Sequence, residues 1–244
     1  MDTIKSRPSA DVTTGGDATG GEPTEIASAA PRAILKYAVE AIGTFFLVFT
    51  VGAAVGSRST LASLAIGASL MVMIYAGGHL SGGHYNPAVT LAVLVRRRIG
   101  LRDAVAYWIA QLLAGMVAAE VVVRVIHPVQ AAMTTAMLSG RTLLAAFVVE
   151  LLFTFALCYV VLNVATSKDH PDNWFYGLAI GFTVFAGAAA VGGISGGAFN
   201  PAVTIGAAVM QMFAWPTLWV YLLAQVIAGV AAAVTFLALN PTDK

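Results

Sequence analysis

Two Asn-Pro-Ala triplets, Asn86-Pro87-Ala88 and Asn200-Pro201-Ala202, and two glutamates inside apolar runs, Glu40 and Glu150, are the groups whose types and spacing can do chemistry. Asn is a strong helix N-cap, and Pro suits the first helical position, where a backbone N–H would be unpaired in any case. Each triplet therefore reads as the start of a helix. A capping Asn has its side-chain oxygen occupied by a backbone N–H, which leaves the amide NH₂ to donate. Two such donors can hold the oxygen of a passing water or alcohol. Asp would cap equally well but would offer negative charge instead. Each helix start also carries roughly half a positive elementary charge, and two of them facing one narrow lumen repel cations, protons included.

The elements that must position these groups occur twice. Glu40-x-x-x-Thr44-Phe45 corresponds to Glu150-x-x-x-Thr154-Phe155, and Ser81-Gly82-Gly83-His84-Tyr85-Asn86-Pro87-Ala88-Val89-Thr90 to Ser195-Gly196-Gly197-Ala198-Phe199-Asn200-Pro201-Ala202-Val203-Thr204. Gln111-x-x-Ala114-Gly115 corresponds to Gln225-x-x-Ala228-Gly229, so the offsets are 110, 114 and 114. Six apolar stretches, near 34–56, 60–78, 104–125, 142–166, 175–192 and 216–238, reach the ~20 residues a membrane span needs. Two shorter ones, near 86–95 and 200–210, give only about 15 Å of helix each. Neither spans alone; end to end they match a hydrocarbon core of about 30 Å.

Three spans per half invert the second half in the membrane, and inverted repeats place a substrate path between the halves near the midplane. The Gly-rich lead-in to each short helix is irregular backbone at membrane depth, tolerated only where it lines a cavity or is buried. The pattern predicts an all-α membrane protein with six transmembrane helices plus two re-entrant half-helices, built for transport.

Composition excludes most other classes. Of 244 residues, 59% are apolar and 10% charged, against roughly 45–50% and about 25% in soluble domains. Mean hydropathy is +0.83. A net charge of +1 argues against a nucleic-acid partner. The lone Cys158 excludes a disulfide framework within one chain and reads as a small buried apolar residue. No nucleophile–base pair, metal-ligand constellation or cofactor motif appears, so neither an enzyme nor a metal or cofactor site is expected. With the N-terminus inside, ten basic residues fall on the cytoplasmic side and three outside, which predicts that both termini are cytoplasmic. The Arg96–Arg98 run reads as an inside anchor.

The paired Asn-Pro-Ala boxes, their Ser-Gly-Gly lead-ins and the six-plus-two layout resemble the aquaporin (major intrinsic protein) family over about 34–240. The resemblance implies a right-handed bundle with a pore in every subunit, a homotetramer, and passive movement of water or small neutral solutes without a cofactor. Residues 1–31, rich in Gly, Thr, Ser, Ala and acidic residues with no apolar run, read as a disordered cytoplasmic tail before a channel domain, 32–240, with repeats near 34–126 and 142–240. The resemblance places the pore centre at Asn86, Pro87, Ala88, Asn200, Pro201 and Ala202, and the selectivity filter at Ile66, Ala188, Gly197 and Val203. Most members carry Arg where Val203 stands, so this ring has no charge and no side-chain donor. Glycerol, urea, ammonia or hydrogen peroxide should pass beside water, with proton exclusion left to the half-helices. The second box is also similar to plant tonoplast aquaporins, although Ile66 does not supply their second-span His. Glycerol facilitators typically carry Asp where Thr204 stands.

Glu40 and Glu150 are costly in a span and by default functional. Their symmetric placement assigns them to accepting hydrogen bonds from the re-entrant loops, with Gln111 and Gln225 serving similar needs. His79 and His84 fall in the first loop, and His79, where relatives often have a pore-facing His, reads as a neutral imidazole holding that loop. His127-Pro128 lies in the connection between spans three and four; Glu120 has no counterpart and is assigned nothing. Two alternatives stand beside the multi-solute channel: a strict water channel, and a proton-coupled secondary transporter using Glu40 and Glu150. Short loops and a plain tail suit a bacterial inner membrane, with an intracellular plant membrane as the other option.

Overall fold

The computed structural model of the chain describes residues 25–126 and 138–243, with side chains from residue 33 onward. The tail residues 1–24 and His127-Pro128 lie outside the described residues. Eight α-helices follow in order: α1 Glu25–Gly56, α2 Ala62–Ser81, α3 Pro87–Val95, α4 Leu101–Val121, α5 Gly140–Thr166, α6 Tyr176–Ser195, α7 Pro201–Val209 and α8 Leu218–Leu239. A π-helical turn, Val122–Ile126, extends α4, and a 3₁₀ turn, Trp215–Thr217, leads into α8. Six of the eight are long and apolar enough to cross a membrane, and the two nine-residue helices α3 and α7 are not, at about 13 Å each. Among the described residues there is no strand. In hydrocarbon an unpaired backbone group has no water to turn to, which leaves the helix as the economical solution for these runs.

Three boundaries differ from the sequence reading. α1 starts at Glu25 instead of after residue 31, because Glu25-Ile26-Ala27-Ser28-Ala29-Ala30 is made of residues that lose little on entering a helix. α2 runs three residues past 78, to Ser81. α6 runs three past 192, to Ser195. Both stop where a glycine turns left-handed, Gly82 at φ 90° and Gly196 at φ 92°, each returning its N–H to a carbonyl four residues back at 2.8 Å.

The two halves exchange their short helices. α3, of the first half, packs on α8 as well as α4; α7, of the second, packs on α4 and α1 as well as α8. Small residues allow these approaches, as is usual where helices meet in lipid. A Cβ on Gly229 of α8 would stand 2.8 Å from the Ala88 carbonyl of α3, and one on Gly115 of α4 would stand 3.1 Å from that of Ala202 in α7. The long helices α2 and α6 cross backbone to backbone, since a Cβ on Gly67 would meet the Gly181 carbonyl at 2.6 Å.

Candidate functional site

Each half-helix begins as its sequence dictates. Asn86 is extended (φ −156°, ψ 119°), its Oδ1 accepts from Ala88 N at 2.8 Å, and Pro87 opens α3. Asn200 is extended too (φ −157°, ψ 119°), accepts from Ala202 N at 2.9 Å, and is followed by Pro201 at the start of α7. The amide groups then reach across the molecule. Asn86 Nδ2 donates to the Phe199 carbonyl and Asn200 Nδ2 to the Tyr85 carbonyl, both at 2.9 Å. One N–H of each amide is therefore spent on the opposite loop, so the pore centre offers one donor per Asn instead of two.

The residues before the caps make this crossing. Tyr85 and Phe199 occupy the left-handed region, at φ 48° and 49°, a conformation costing a non-glycine residue about 1–2 kcal/mol. There each points its N–H back to a buried glutamate and its carbonyl forward to the facing Asn. Packing holds the geometry: the Tyr85 ring fills a slot left open by Gly43 and Gly77, and its hydroxyl donates to Met73 O at 3.0 Å.

Glu40 collects four donors: Ser81 Oγ (2.7 Å), His84 N (2.9 Å), Tyr85 N (2.7 Å) and Gln111 Nε2 (2.8 Å). Glu150 collects the equivalent four: Ser195 Oγ (2.7 Å), Ala198 N (2.9 Å), Phe199 N (2.8 Å) and Gln225 Nε2 (3.0 Å). Both side chains are fully buried. Charge-assisted hydrogen bonds of this kind are the strong ones, and four of them use the accepting capacity of a carboxylate. Gln111 and Gln225 also donate to Thr90 Oγ1 (3.0 Å) and Thr204 Oγ1 (2.9 Å). The sequence reading missed these threonines, along with Tyr107 and Tyr221, whose hydroxyls donate to the Ser81 and Ser195 carbonyls at 2.6 and 2.7 Å. The offset of 114 is the signal that marks both pairs.

His79 is corrected. It sits in the last turn of α2 with its side chain exposed, outside the loop, because α2 continues to Ser81. The loop's histidine is His84, whose Nδ1 lies 3.1 Å from Thr90 Oγ1 and whose ring meets Tyr107 edge-on at 5.2 Å. Arg96 is corrected as an anchor: it is buried (1% exposed), 2.7 Å from Asp243, with its guanidinium 4.5 Å from the centre of the Phe236 ring. Asp243 also holds Arg98 at 3.0 Å and the Lys168 N–H at 2.9 Å. Helix α4 ends with Glu120 paired to Arg124, and Cys158 is buried in the core.

A narrow lumen runs between the halves, and sixteen residues line it. They form eight pairs at the repeat offsets: Leu47 with Leu157, Val51 with Val161, Ile66 with Ile180, Leu70 with Val184, Gly83 with Gly197, His84 with Ala198, Asn86 with Asn200 and Val89 with Val203. Of the filter residues read from sequence, Ile66, Gly197 and Val203 line this lumen. Ala188 stands behind Gly197, where a Cβ would lie 3.3 Å from its Cα. A second cavity, next to His84, is polar, with Lys36, Ser81, Arg98, Asp103 and Tyr107 in its wall. Among the described residues no group of His, Cys, Asp and Glu could hold a metal ion.

The family model described as major intrinsic protein matches residues 25–236. The chain is 41% identical over 208 residues to glycerol uptake facilitator protein-like 6 of Lactiplantibacillus plantarum, covering 81% of this chain and 94% of that one. It is 36% identical to nodulin-26 of Glycine max, covering 86% and 79%. Among solved structures, the aquaglyceroporin from Plasmodium falciparum superposes with a TM-score of 0.71 at 22% identity, covering 84% of this chain and 95% of that one.

Proposed function

The chain belongs to the major intrinsic protein family, and from that premise we propose that it is a passive channel for water together with small uncharged solutes such as glycerol, urea, ammonia or hydrogen peroxide, and that it excludes ions. The observation that carries this reading is the lumen wall: ten of its sixteen residues are Leu, Ile or Val, and the polar side chains are those of His84, Asn86 and Asn200. No side chain in that wall carries a fixed charge. Pore lining and its donors decide what passes such a channel. Asn86, Pro87, Ala88, Asn200, Pro201 and Ala202 make its centre, where two half-helix starts oppose cations. Ile66, Gly197 and Val203 make the outer constriction, with Ala188 backing Gly197 and Val203 adding neither charge nor donor. Glu40, Glu150, Gln111 and Gln225 hold the loops.

A strict water channel is the second reading, supported by the branched side chains of Leu47, Val51 and Ile66, which share the wall with Val203. A proton-coupled carrier finds less support, because Glu40 and Glu150 spend their lone pairs on loop N–H and hydroxyl donors.

Orientation and assembly complete the proposal. Arg96, Arg98 and Lys168 gather at one end with the C-terminal Asp243, and by the bias of basic residues that end is cytoplasmic. The protein would sit as a homotetramer in a bacterial cell membrane with both termini inside, each subunit with its own pore.

Stopped-flow light scattering on proteoliposomes tests the reading. Sucrose should cause fast shrinkage, and glycerol or urea should cause fast shrinkage followed by re-swelling quicker than in empty liposomes. Re-swelling no quicker than the control would select the strict water channel.

A further inference from the structure

The polar cavity beside His84 measures about 430 Å³ and shares His84 and Val161 with the lumen wall, so whatever sits in it stands in the path of the pore. The second half builds a counterpart on the same frame, a cavity of about 170 Å³. Seven of the nine residues around that counterpart lie 114 positions after seven that line the first, among them Ser195 for Ser81 and Tyr221 for Tyr107. Its chemistry is different. Met212 stands for Arg98 and Thr217 for Asp103, while Phe213, standing for Ile99, stacks on Tyr221 with ring centres 4.5 Å apart. At the offset of 110, Ala146 stands for Lys36. The frame that holds a re-entrant loop therefore does not need these charges. Orientation in a membrane calls for basic residues at one end, but not for a carboxylate beside them, nor for either in a cavity wall.

The wall separates donors from acceptors. Each of its three hydroxyls has given its hydrogen to the protein: Ser81 Oγ to Glu40 (2.7 Å), Tyr107 to the Ser81 carbonyl (2.6 Å) and Thr166 to the Leu162 carbonyl (2.6 Å). Such an oxygen has only lone pairs left to offer. Asp103 adds a carboxylate that accepts from Tyr37 at 2.6 Å and has capacity for more. Against these acceptors stand two cations. The Lys36 ammonium is 4.0 Å from Asp103, beyond hydrogen-bonding reach. Arg98 donates from Nη2 to Asp243 at 3.0 Å, and its other N–H groups have no partner among the described residues. Two positive charges to one negative favour an anion over a cation.

Guanidinium and ammonium groups recognise phosphate and carboxylate, whereas oxygens with only lone pairs recognise hydroxyl hydrogens. We propose that this cavity binds a small organic anion bearing hydroxyl groups, such as a phosphorylated or carboxylated polyol. Its anionic end sits on Arg98 and Lys36, its hydroxyls on Tyr107, Thr166 and Asp103, and the seated anion blocks the pore. The inference rests on the passive-channel reading, to which it adds a brake at one mouth.

Glycerol phosphate is the probe. Proteoliposomes are loaded with it and bathed in it at constant ionic strength, and water shrinkage under sucrose is followed, with glycerol and inorganic phosphate as comparisons. Each rate is divided by that of the same protein without the probe. At about 10 mM the wild-type rate should fall at least about twofold, as for a site of millimolar affinity, and glycerol should leave it unchanged. Lys36→Gln and Arg98→Gln should each remove the effect. Arg102→Gln, on the exposed surface outside the cavity wall, should keep it. Lys36 makes no hydrogen bond among the described residues, so its variant tests the site even where Arg98→Gln fails to fold. Isothermal titration calorimetry of the full chain in detergent reads binding apart from flux, and Lys36→Gln should lose the binding heat. No binding heat in wild type, or slowing that survives both Gln variants, would overturn the site. Binding without slowing would overturn the brake, and equal slowing by inorganic phosphate would overturn the role given to the hydroxyls. Shrinkage no faster than in empty liposomes would refute the channel reading, and calorimetry would still decide on the site.

Discussion

Asn86 and Asn200 hold each other's loops: each donates from Nδ2, at 2.9 Å, to the carbonyl of the residue preceding the other. The contact joins positions more than a hundred residues apart at the point where α3 and α7 meet, and it is buried on both sides. The same atoms that line the pore therefore also close the fold at its centre. Function and stability are coupled there, and a substitution cannot alter one alone.

Replacing either Asn with Asp exposes that coupling. The carboxylate would still cap its helix, but an oxygen would replace Nδ2 opposite a carbonyl oxygen, leaving that carbonyl without its donor. Asn86→Asp and Asn200→Asp should each cost about 1–3 kcal/mol of stability, and by symmetry they should cost the same. Each also places negative charge between the half-helix starts, so cation leak should rise. Thermal unfolding in detergent and sodium efflux from proteoliposomes report the two effects. Wild-type stability in both variants would mean the cross-donation does not form.

Glu150→Gln and Glu40→Gln separate a scaffold from a proton relay. A Gln turns one accepting oxygen into a donor that faces two donors already in place, such as Phe199 N and Gln225 Nε2. Each buried donor left unpaired costs about 1–3 kcal/mol, so the yield of folded protein should drop sharply. Solute flux per folded channel should stay indifferent to an imposed pH gradient, in wild type and variant alike. Flux that follows the gradient in wild type and loses that dependence in Glu150→Gln would establish the carrier instead.

The repeat explains what could be read from sequence. Asn86 and Asn200, Glu40 and Glu150, and Gln111 and Gln225 each announced themselves twice, and the structure brings them within hydrogen-bonding distance of the same two loops. Two residues without a partner in the other half, Arg96 and His79, lie elsewhere than the sequence suggests. Arg96 looked like one of three equivalent surface charges, yet its neighbours in space, Phe236 and Asp243, lie at the far end of the chain, where no periodicity points. His79 falls just past a second span read to end near residue 78, beside Gly77 and Gly78. Those glycines instead admit the hydroxyls of Tyr85 and Tyr176 against a continuous helix. The caps of the half-helices were legible, but the second use of each Asn amide depends on the left-handed turn at Tyr85 and Phe199, for which a sequence gives no sign.

Val203→Arg tests the outer ring. Val203 is 5% exposed and lines the lumen, so an arginine there must project into the passage, adding bulk, donors and positive charge. Glycerol and urea re-swelling should fall about tenfold, which requires only about 1.4 kcal/mol of added barrier, while water shrinkage falls less. Unchanged glycerol flux would show that the outer ring is too wide to select even with arginine in it.

Asp243 carries the last prediction. It is buried, and it binds the guanidinium groups of Arg96 and Arg98 and the Lys168 N–H, tying the connection after α3, the connection after α5 and the end of α8 into one knot. Burial pushes its carboxyl up, but the Lys168 N–H and the Arg96 guanidinium outweigh that and hold it at about 2, below the ordinary 3.8. A folded-state value below the unfolded one stabilises wherever the carboxylate is charged in both states, and that contribution is lost as protons return. The difference in unfolding midpoint between wild type and Asp243→Asn should therefore be constant from neutral pH down to about pH 4 and shrink between about pH 4 and 2. Its size should be about 1 kcal/mol once solvent screening is counted. Thermal unfolding of both proteins in detergent across that range checks it. A difference that instead vanished near neutral pH would mean that the knot depends on a group other than Asp243, since nothing at this carboxyl titrates there.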